Sequence, residues 1–551
     1  MSFMTTIVNP IIPGFNPDPS IIRVGDAWYL ATSTFEWFPG VCLYKSYDLK
    51  HWRLISCPLN RKSQLDMRGN PDSGGIYAPC LSYDAGTFYL VYTDVKNVTG
   101  RFWDTNNYIV TTDNIEGEWS EPTYLNSRGI DPSLFHHSDG TKWLVSMEMS
   151  YMDGGEAGFP KWNGIIIQQY DEQQKTLIGE CRKIYAGTSL GITEGPHIYE
   201  LNGWYYLLVA EGGTFYNHGV TLARSKQLFG PYETDPIGQM MTSRYDCRQP
   251  LQRVGHADLF ENGLGEWFIV HLCGRPLPSK GRSPMGRETA IQQVYWTDDG
   301  WLRLINNKIT PDVNVRTRLE ERPWPEQPAR DDFDSPEIPL HYQSLRIPLS
   351  EAMCTLKERH GWLRLRGYES LSSRHYQSLL ARRQTDFTFT AQTCVDFSPR
   401  SFQQMAGLVC YYDTTNYIYL NISCNEQGER TVNLMINDLN KFSLPTGEGI
   451  QIPSEGLVYL RVCVKDDAAN FYYSLDEEKW FPVGGHIEYS KLSDEYFKER
   501  GIERFTGAFV GMCCQDFTGE HICADFDYFD YSATVSDHEH SAPLTPGSFS
   551  A

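Results

Sequence analysis

The sequence predicts an all-β protein, a five-bladed β-propeller followed by an antiparallel β-sandwich. Three observations predict it. A pattern of about 60 residues recurs five times, strand-and-turn text runs through it with hardly a helical period, and a Pro-rich seam ends the repeat.

The repeat opens with Asn16-Pro17-Asp18-Pro19-Ser20, followed by a short strand, a turn at Gly25 and the aromatic-rich strand around Trp28-Tyr29-Leu30. Ala78-Pro79-Cys80-Leu81 precedes Gly86 and Phe88-Tyr89-Leu90 in the second copy. Asp131-Pro132-Ser133 leads to Gly140 and Trp143-Leu144-Val145, and Glu194-Gly195-Pro196-His197 to Gly203 and Trp204-Tyr205-Tyr206. The fifth copy runs from His256-Ala257-Asp258 through Gly265 to Trp267-Phe268-Ile269. Lead positions 18, 78, 131, 194 and 256 are spaced by 60, 53, 63 and 62 residues. Hairpins are legible at Leu81–Tyr92 and Ile198–Val209. A sandwich has no reason to repeat five times, whereas radial blades do, so residues 1–325 are expected to form the propeller.

Arg322-Pro323-Trp324-Pro325-Glu326-Gln327-Pro328 cannot continue a sheet and reads as a linker. Beyond it come longer alternating strands: Phe387–Phe397, Met405–Tyr412, Tyr417–Ser423, Leu457–Val464 and Gly507–Cys514. Asp413-Thr414-Thr415-Asn416 reads as one hairpin turn, and Asp466 to Asn470 as a longer one. Residues 326–535 are therefore expected to be a β-sandwich. From Ser532 the text turns polar, and residues 536–551 are expected to be a flexible tail.

A formal net charge of −21 opposes a nucleic-acid or anionic-membrane partner and suits a small neutral ligand. Aromatic content of 13% fits sugar handling, since a pyranose face packs on a ring, and fits plain strand composition equally. No stretch of about 18 apolar residues and no leader pattern in Met1–Pro13 is visible. The 14 cysteines are scattered without a Cys-x-x-Cys pair, as in reduced thiols. A cytoplasmic protein is the expectation, as a homo-oligomer (dimer or tetramer).

Innermost propeller strands run along the axis, so equivalent positions converge. Asp18, Asp131, Glu194 and His256 would then crowd one pocket, with Ala78 as the uncharged fifth. Turn chemistry explains any one of them but not ionisable groups at four equivalent places. Crowded carboxyls split their pKa values, leaving one ionised and one protonated, which is the equipment of glycoside hydrolysis.

Asn16-Pro-Asp18-Pro-Ser20, Ile130-Asp131-Pro-Ser133 and Thr193-Glu194-Gly195-Pro196 resemble glycoside hydrolase family 43. The two-domain length, Gly286-Arg287-Glu288-Thr289 and Phe505-Thr506-Gly507-Ala508-Phe509-Val510-Gly511 resemble its β-xylosidases. The resemblance implies an inverting mechanism on a five-bladed propeller, with Asp18 as general base, Glu194 as general acid and Asp131 tuning and orienting the acid. It implies an exo-enzyme releasing xylose from the non-reducing end of β-1,4-xylo-oligosaccharides, with α-L-arabinofuranosidase side activity.

Arg287 resembles the family's arginine near the base, against a surface pair with Glu288. Phe35 resembles the aromatic wall of the terminal-sugar subsite, and Thr214 and Ala78 are placed with it. His256 can hold a water or a divalent cation such as calcium beneath the sugar, or be a satisfied core histidine; no cofactor is required and no metal ligands are assigned. Two departures bear on substrate preference: Tyr77 where Trp is usual, and Arg504 where a second Phe precedes Phe505. Phe505 is expected to reach over the propeller and line the leaving-group subsite, so that the sandwich closes the active site. Two alternatives remain: a carbohydrate-binding protein without catalysis, which the three carboxyls oppose, and a retaining fructosidase-type propeller. The latter has Asn-Asp-Pro-Asn, Arg-Asp-Pro and Glu-Cys where this chain has Asn-Pro-Asp-Pro, Ile-Asp-Pro and Glu-Gly-Pro.

Overall fold

In the computed structural model, which describes residues 4–152 and 160–533, five four-stranded antiparallel meanders follow one another around an axis. Their innermost strands are Ser20–Val24, Gly75–Asp84, Ser133–His136, Glu194–Leu201 and Gln252–Glu261. Ring closure joins the two ends of the propeller, because Thr5–Val8 pairs antiparallel with Asn314–Thr317. Each blade presents alternating apolar residues to its neighbours. Leu30, Leu43, Leu90, Leu207 and Ile269 are fully buried.

The repeat has a backbone signature. Asp18, Ala78, Asp131 and His256 all adopt left-handed φ, between 39° and 57°, and so does Gly195 at 56°. Gly195, not Glu194, is therefore the register equivalent in the fourth blade, and the spacings become 60, 53, 64 and 61. Glu194 instead matches Tyr77, one place upstream. The sequence reading slipped here because both residues of Glu-Gly precede the same Pro. Four non-glycine residues held left-handed cost about 1–3 kcal/mol each, a form of strain that clusters where side chains must be aimed.

Two places downstream, Ser20, Cys80, Ser133, His197 and Asp258 form a second buried tier along the axis. Asp258 Oδ2 accepts from the Ser20 hydroxyl at 3.0 Å and from the Ile21 amide at 2.8 Å, which ties the fifth blade to the first.

The C-terminal sandwich pairs an eight-stranded with a seven-stranded antiparallel sheet. Strands Gln404–Asp413, Asn416–Cys424 and Phe509–Asp516 of the smaller sheet are buried on both faces. Alternation sorts them: Val510, Met512 and Cys514 face the sandwich core, while Phe509 and Cys513 face the propeller. The Trp37 and Phe509 rings stack at 3.6 Å across that seam, and Ser344–Leu345 pairs with Trp37–Phe38.

Two details differ from expectation. Lys465 pairs with Ala468, so the hairpin at Asp466 has a two-residue turn; Ala468-Ala469 pack as strand instead of loop. The last strand, Cys523–Ala533, runs through Ser532 because its apolar alternation ends only at Tyr531. The tail expected over 536–551 lies outside the described residues. Helix among them is limited to Asp494–Lys498 and a 3-10 turn at Tyr489–Lys491, and none is long and apolar enough to cross a membrane.

Candidate active site

The left-handed turns aim Asp18 and Asp131 at the axis, where both are less than a tenth exposed. Asp18 is the better supplied. Ser33 donates its hydroxyl to Oδ2 at 2.7 Å, and Arg287 donates from Nη1 to Oδ1 at 2.9 Å. The Ala78 amide donates to Ser33 Oγ at 2.7 Å, which leaves the Ser33 proton directed at Asp18. The uncharged lead position thus serves through its backbone. Both Asp18 oxygens are thus held by charged or hydroxyl donors.

Glu194 differs. Its one hydrogen bond from a described residue comes from the Trp162 indole, to Oε2 at 2.9 Å. Burial pushes its pKa up to about 7; the Trp162 bond works against this and the Asp18 charge adds to it. Asp131 Oδ2 accepts from the Gly195 amide at 3.0 Å, so it holds the backbone next to Glu194. Burial, then the Glu194 and Asp18 charges, pushes Asp131 well above the carboxylate range.

His256 lies with Nδ1 3.9 Å from both Asp18 Oδ1 and Asp131 Oδ2, and burial drives its pKa down to about 4, which leaves it neutral. Among the described residues no group of three His, Cys, Asp or Glu side chains is arranged to hold a metal ion, and no step below uses one.

The Phe35 and Tyr77 rings pack on each other with centroids 4.3 Å apart, and the Arg287 guanidinium lies 5.1 Å from the Phe35 ring. The Tyr77 hydroxyl donates to the Ser73 carbonyl, and the Ser73 hydroxyl accepts from the Phe505 amide at 3.0 Å. The Phe505 carbonyl accepts from Arg287 Nη2 at 3.2 Å, and its half-buried ring lies 6.0 Å from that guanidinium. Arg287 does not pair with Glu288, which binds Arg275 instead. Arg504 donates to Asp413 Oδ2 at 2.6 Å, anchoring the loop that carries Phe505. Thr214 is held through its carbonyl by Arg253 at 2.8 Å, and no hydrogen bond joins it to the carboxyls.

Sequence reasoning missed Trp162, Ser33 and Ser73. Trp162 sits near the start of the third strand of its blade, Lys161–Asp171, with no repeat position to mark it. Ser33 lies two places before Phe35, in Thr32-Ser33-Thr34-Phe35, where a serine carries no signal of its own.

Three buried carboxyls carried at the start of the innermost strands of a five-bladed propeller, two of them raised by burial, are the equipment of a glycoside hydrolase. Residues 7–302 match glycosyl hydrolases family 43, and residues 330–532 match the beta xylosidase C-terminal Concanavalin A-like domain. The chain belongs to glycoside hydrolase family 43. It is 46% identical to Xylosidase/arabinosidase 43B of Humicola insolens, over 96% of this chain and 98% of the relative. It is 45% identical to a beta-xylosidase of Bacillus subtilis (95% and 99%) and 43% identical to a xylan 1,3-beta-xylosidase of a Vibrio species (96% and 99%). The crystal structure of xylan beta-1,4-xylosidase from Bacillus halodurans C-125 superposes with a TM-score of 0.93 at 50% identity, covering 96% of this chain and 100% of that one.

Proposed function

We propose that this protein is an inverting exo-β-xylosidase that releases xylose from the non-reducing ends of short β-1,4-xylo-oligosaccharides, with α-L-arabinofuranosidase side activity. The unlike environments of Asp18 and Glu194 carry this reading. Protonated Glu194 gives its proton to the glycosidic oxygen as the bond to the anomeric carbon breaks. Asp18 takes a proton from the water that attacks that carbon from the opposite face, so the released sugar has inverted configuration. Asp131 fixes the Gly195 backbone and with it the acid. Phe35 and Tyr77 pack on the terminal sugar, while Arg287 positions the base. Phe505, carried from the sandwich, stacks on the sugar being released and narrows the mouth to a chain end.

The full-length relatives named for xylosidase and arabinosidase activity support the substrate class. The Vibrio relative supports a second linkage, β-1,3. A homo-oligomer in the cytoplasm belongs to the same reading. The test compares 4-nitrophenyl β-xyloside, 4-nitrophenyl α-arabinofuranoside, and β-1,4- and β-1,3-xylobiose. The reading expects the β-xyloside and β-1,4-xylobiose to be the better substrates. Turnover of neither xylobiose overturns it, and preference for the 1,3 isomer corrects the linkage.

A further inference from the structure

Behind the pocket, three segments that shape it converge on one guanidinium. Arg253 is 1% exposed and left-handed (φ 59°), on the innermost strand of the fifth blade. Its Nε donates to the Thr214 carbonyl at 2.8 Å, Nη2 to Asp494 Oδ2 at 2.9 Å and Nη1 to Glu495 Oε1 at 3.0 Å. Both acids open the short helix Asp494–Lys498 of the sandwich domain, so the triad crosses the domain seam.

Each acid uses its other oxygen on a segment of the pocket. Asp494 Oδ1 accepts from the Thr506 amide at 3.1 Å and from the Tyr412 hydroxyl at 2.5 Å. Glu495 Oε2 accepts from the Ser283 amide at 2.9 Å. Thr506 follows Phe505, and Ser283 begins the turn closed by Gly286 N–H to Ser283 O (2.9 Å) that delivers Arg287. The two turns touch: a Cβ on Gly286 would meet the Thr506 carbonyl at 2.4 Å.

A buried triad of one cation and two carboxyls is a poor source of stability, because desolvation offsets the attraction, and apolar replacements are often as stable. What it supplies is geometry, since a planar fork fixes three partners that an ammonium cannot fix together. We propose that Arg253 is a positioning residue that sets the spacing between the Phe505 wall and the Arg287–Asp18 pair, and thereby selects for oligosaccharide leaving groups. This rests on the β-xylosidase reading and assigns it a specificity determinant outside the pocket.

The test is Arg253→Lys, with kcat and KM measured on xylotriose and on 4-nitrophenyl β-xyloside. Misplacement of the wall by a fraction of an ångström is expected to lower kcat/KM on xylotriose by about tenfold or more, chiefly through KM, and on the aryl xyloside by less than about threefold. Asp494→Asn, which keeps the side-chain volume, is expected to give the same split and serves if Arg253→Lys does not fold. Equal losses on both substrates in a folded variant, or no change on xylotriose, overturn the inference. A wild-type protein inactive on both substrates overturns the β-xylosidase reading itself.

Discussion

Trp162 donates its indole N–H to Glu194 Oε2 at 2.9 Å, the one hydrogen bond from the described residues to that buried carboxyl. The bond favours the ionised form, and burial favours the neutral one, with the pKa settling at about 7. A general acid must be protonated, so activity is lost as pH rises through that value. Trp162→Phe removes the donor and is expected to move the alkaline limb of kcat/KM for xylobiose to higher pH. A limb that stays in place or moves down separates Trp162 from the acid.

The propeller was legible because its turn chemistry repeats at positions that the axis forces together. Asp18, Asp131 and Glu194 were legible for the same reason, although the true register of the fourth blade runs through Gly195. Arg253 was not legible. A single Arg in Gln252-Arg253-Val254 reads as solvated, and its partners Asp494 and Glu495 lie 241 and 242 residues away. Likewise, Arg504 looked only like a departure from family pattern until Asp413 was placed beside it. Such contacts between distant positions leave no periodic trace, because each is made once.

The unfolding equilibrium tests a second buried acid. Glu36 is 1% exposed, beside Arg346 and Asp72 at the seam, and burial pushes its pKa up to about 8, opposed by Arg346 and reinforced by Asp72. A carboxyl raised in the folded state costs nothing below its unfolded value near 4.5. The cost grows as pH rises towards about 8 and is constant above it. Glu36→Gln is therefore expected to be stabilising by about 2–4 kcal/mol at pH 8 and to lose most of that advantage at pH 5. Denaturant midpoints at the two pH values check it, and a pH-independent difference contradicts it.

The two proposed roles separate by leaving group. A good leaving group departs without a proton, so Glu194→Ala is expected to keep far more activity on an activated aryl xyloside than on xylobiose. Asp18→Ala removes the group that activates water and is expected to lose at least about a hundredfold on both. Equal losses in the two variants on both substrates contradict the assignment of acid and base.

The stereochemistry of hydrolysis tests the account most directly. A base that activates water on the face opposite the departing group inverts the anomeric carbon, and a nucleophile in its place would retain it. Proton NMR of the first minutes of β-xyloside hydrolysis, before mutarotation, is expected to show α-xylose as the initial product. Initial β-xylose would contradict the account, because Asp18 would then act as a nucleophile and not as a base.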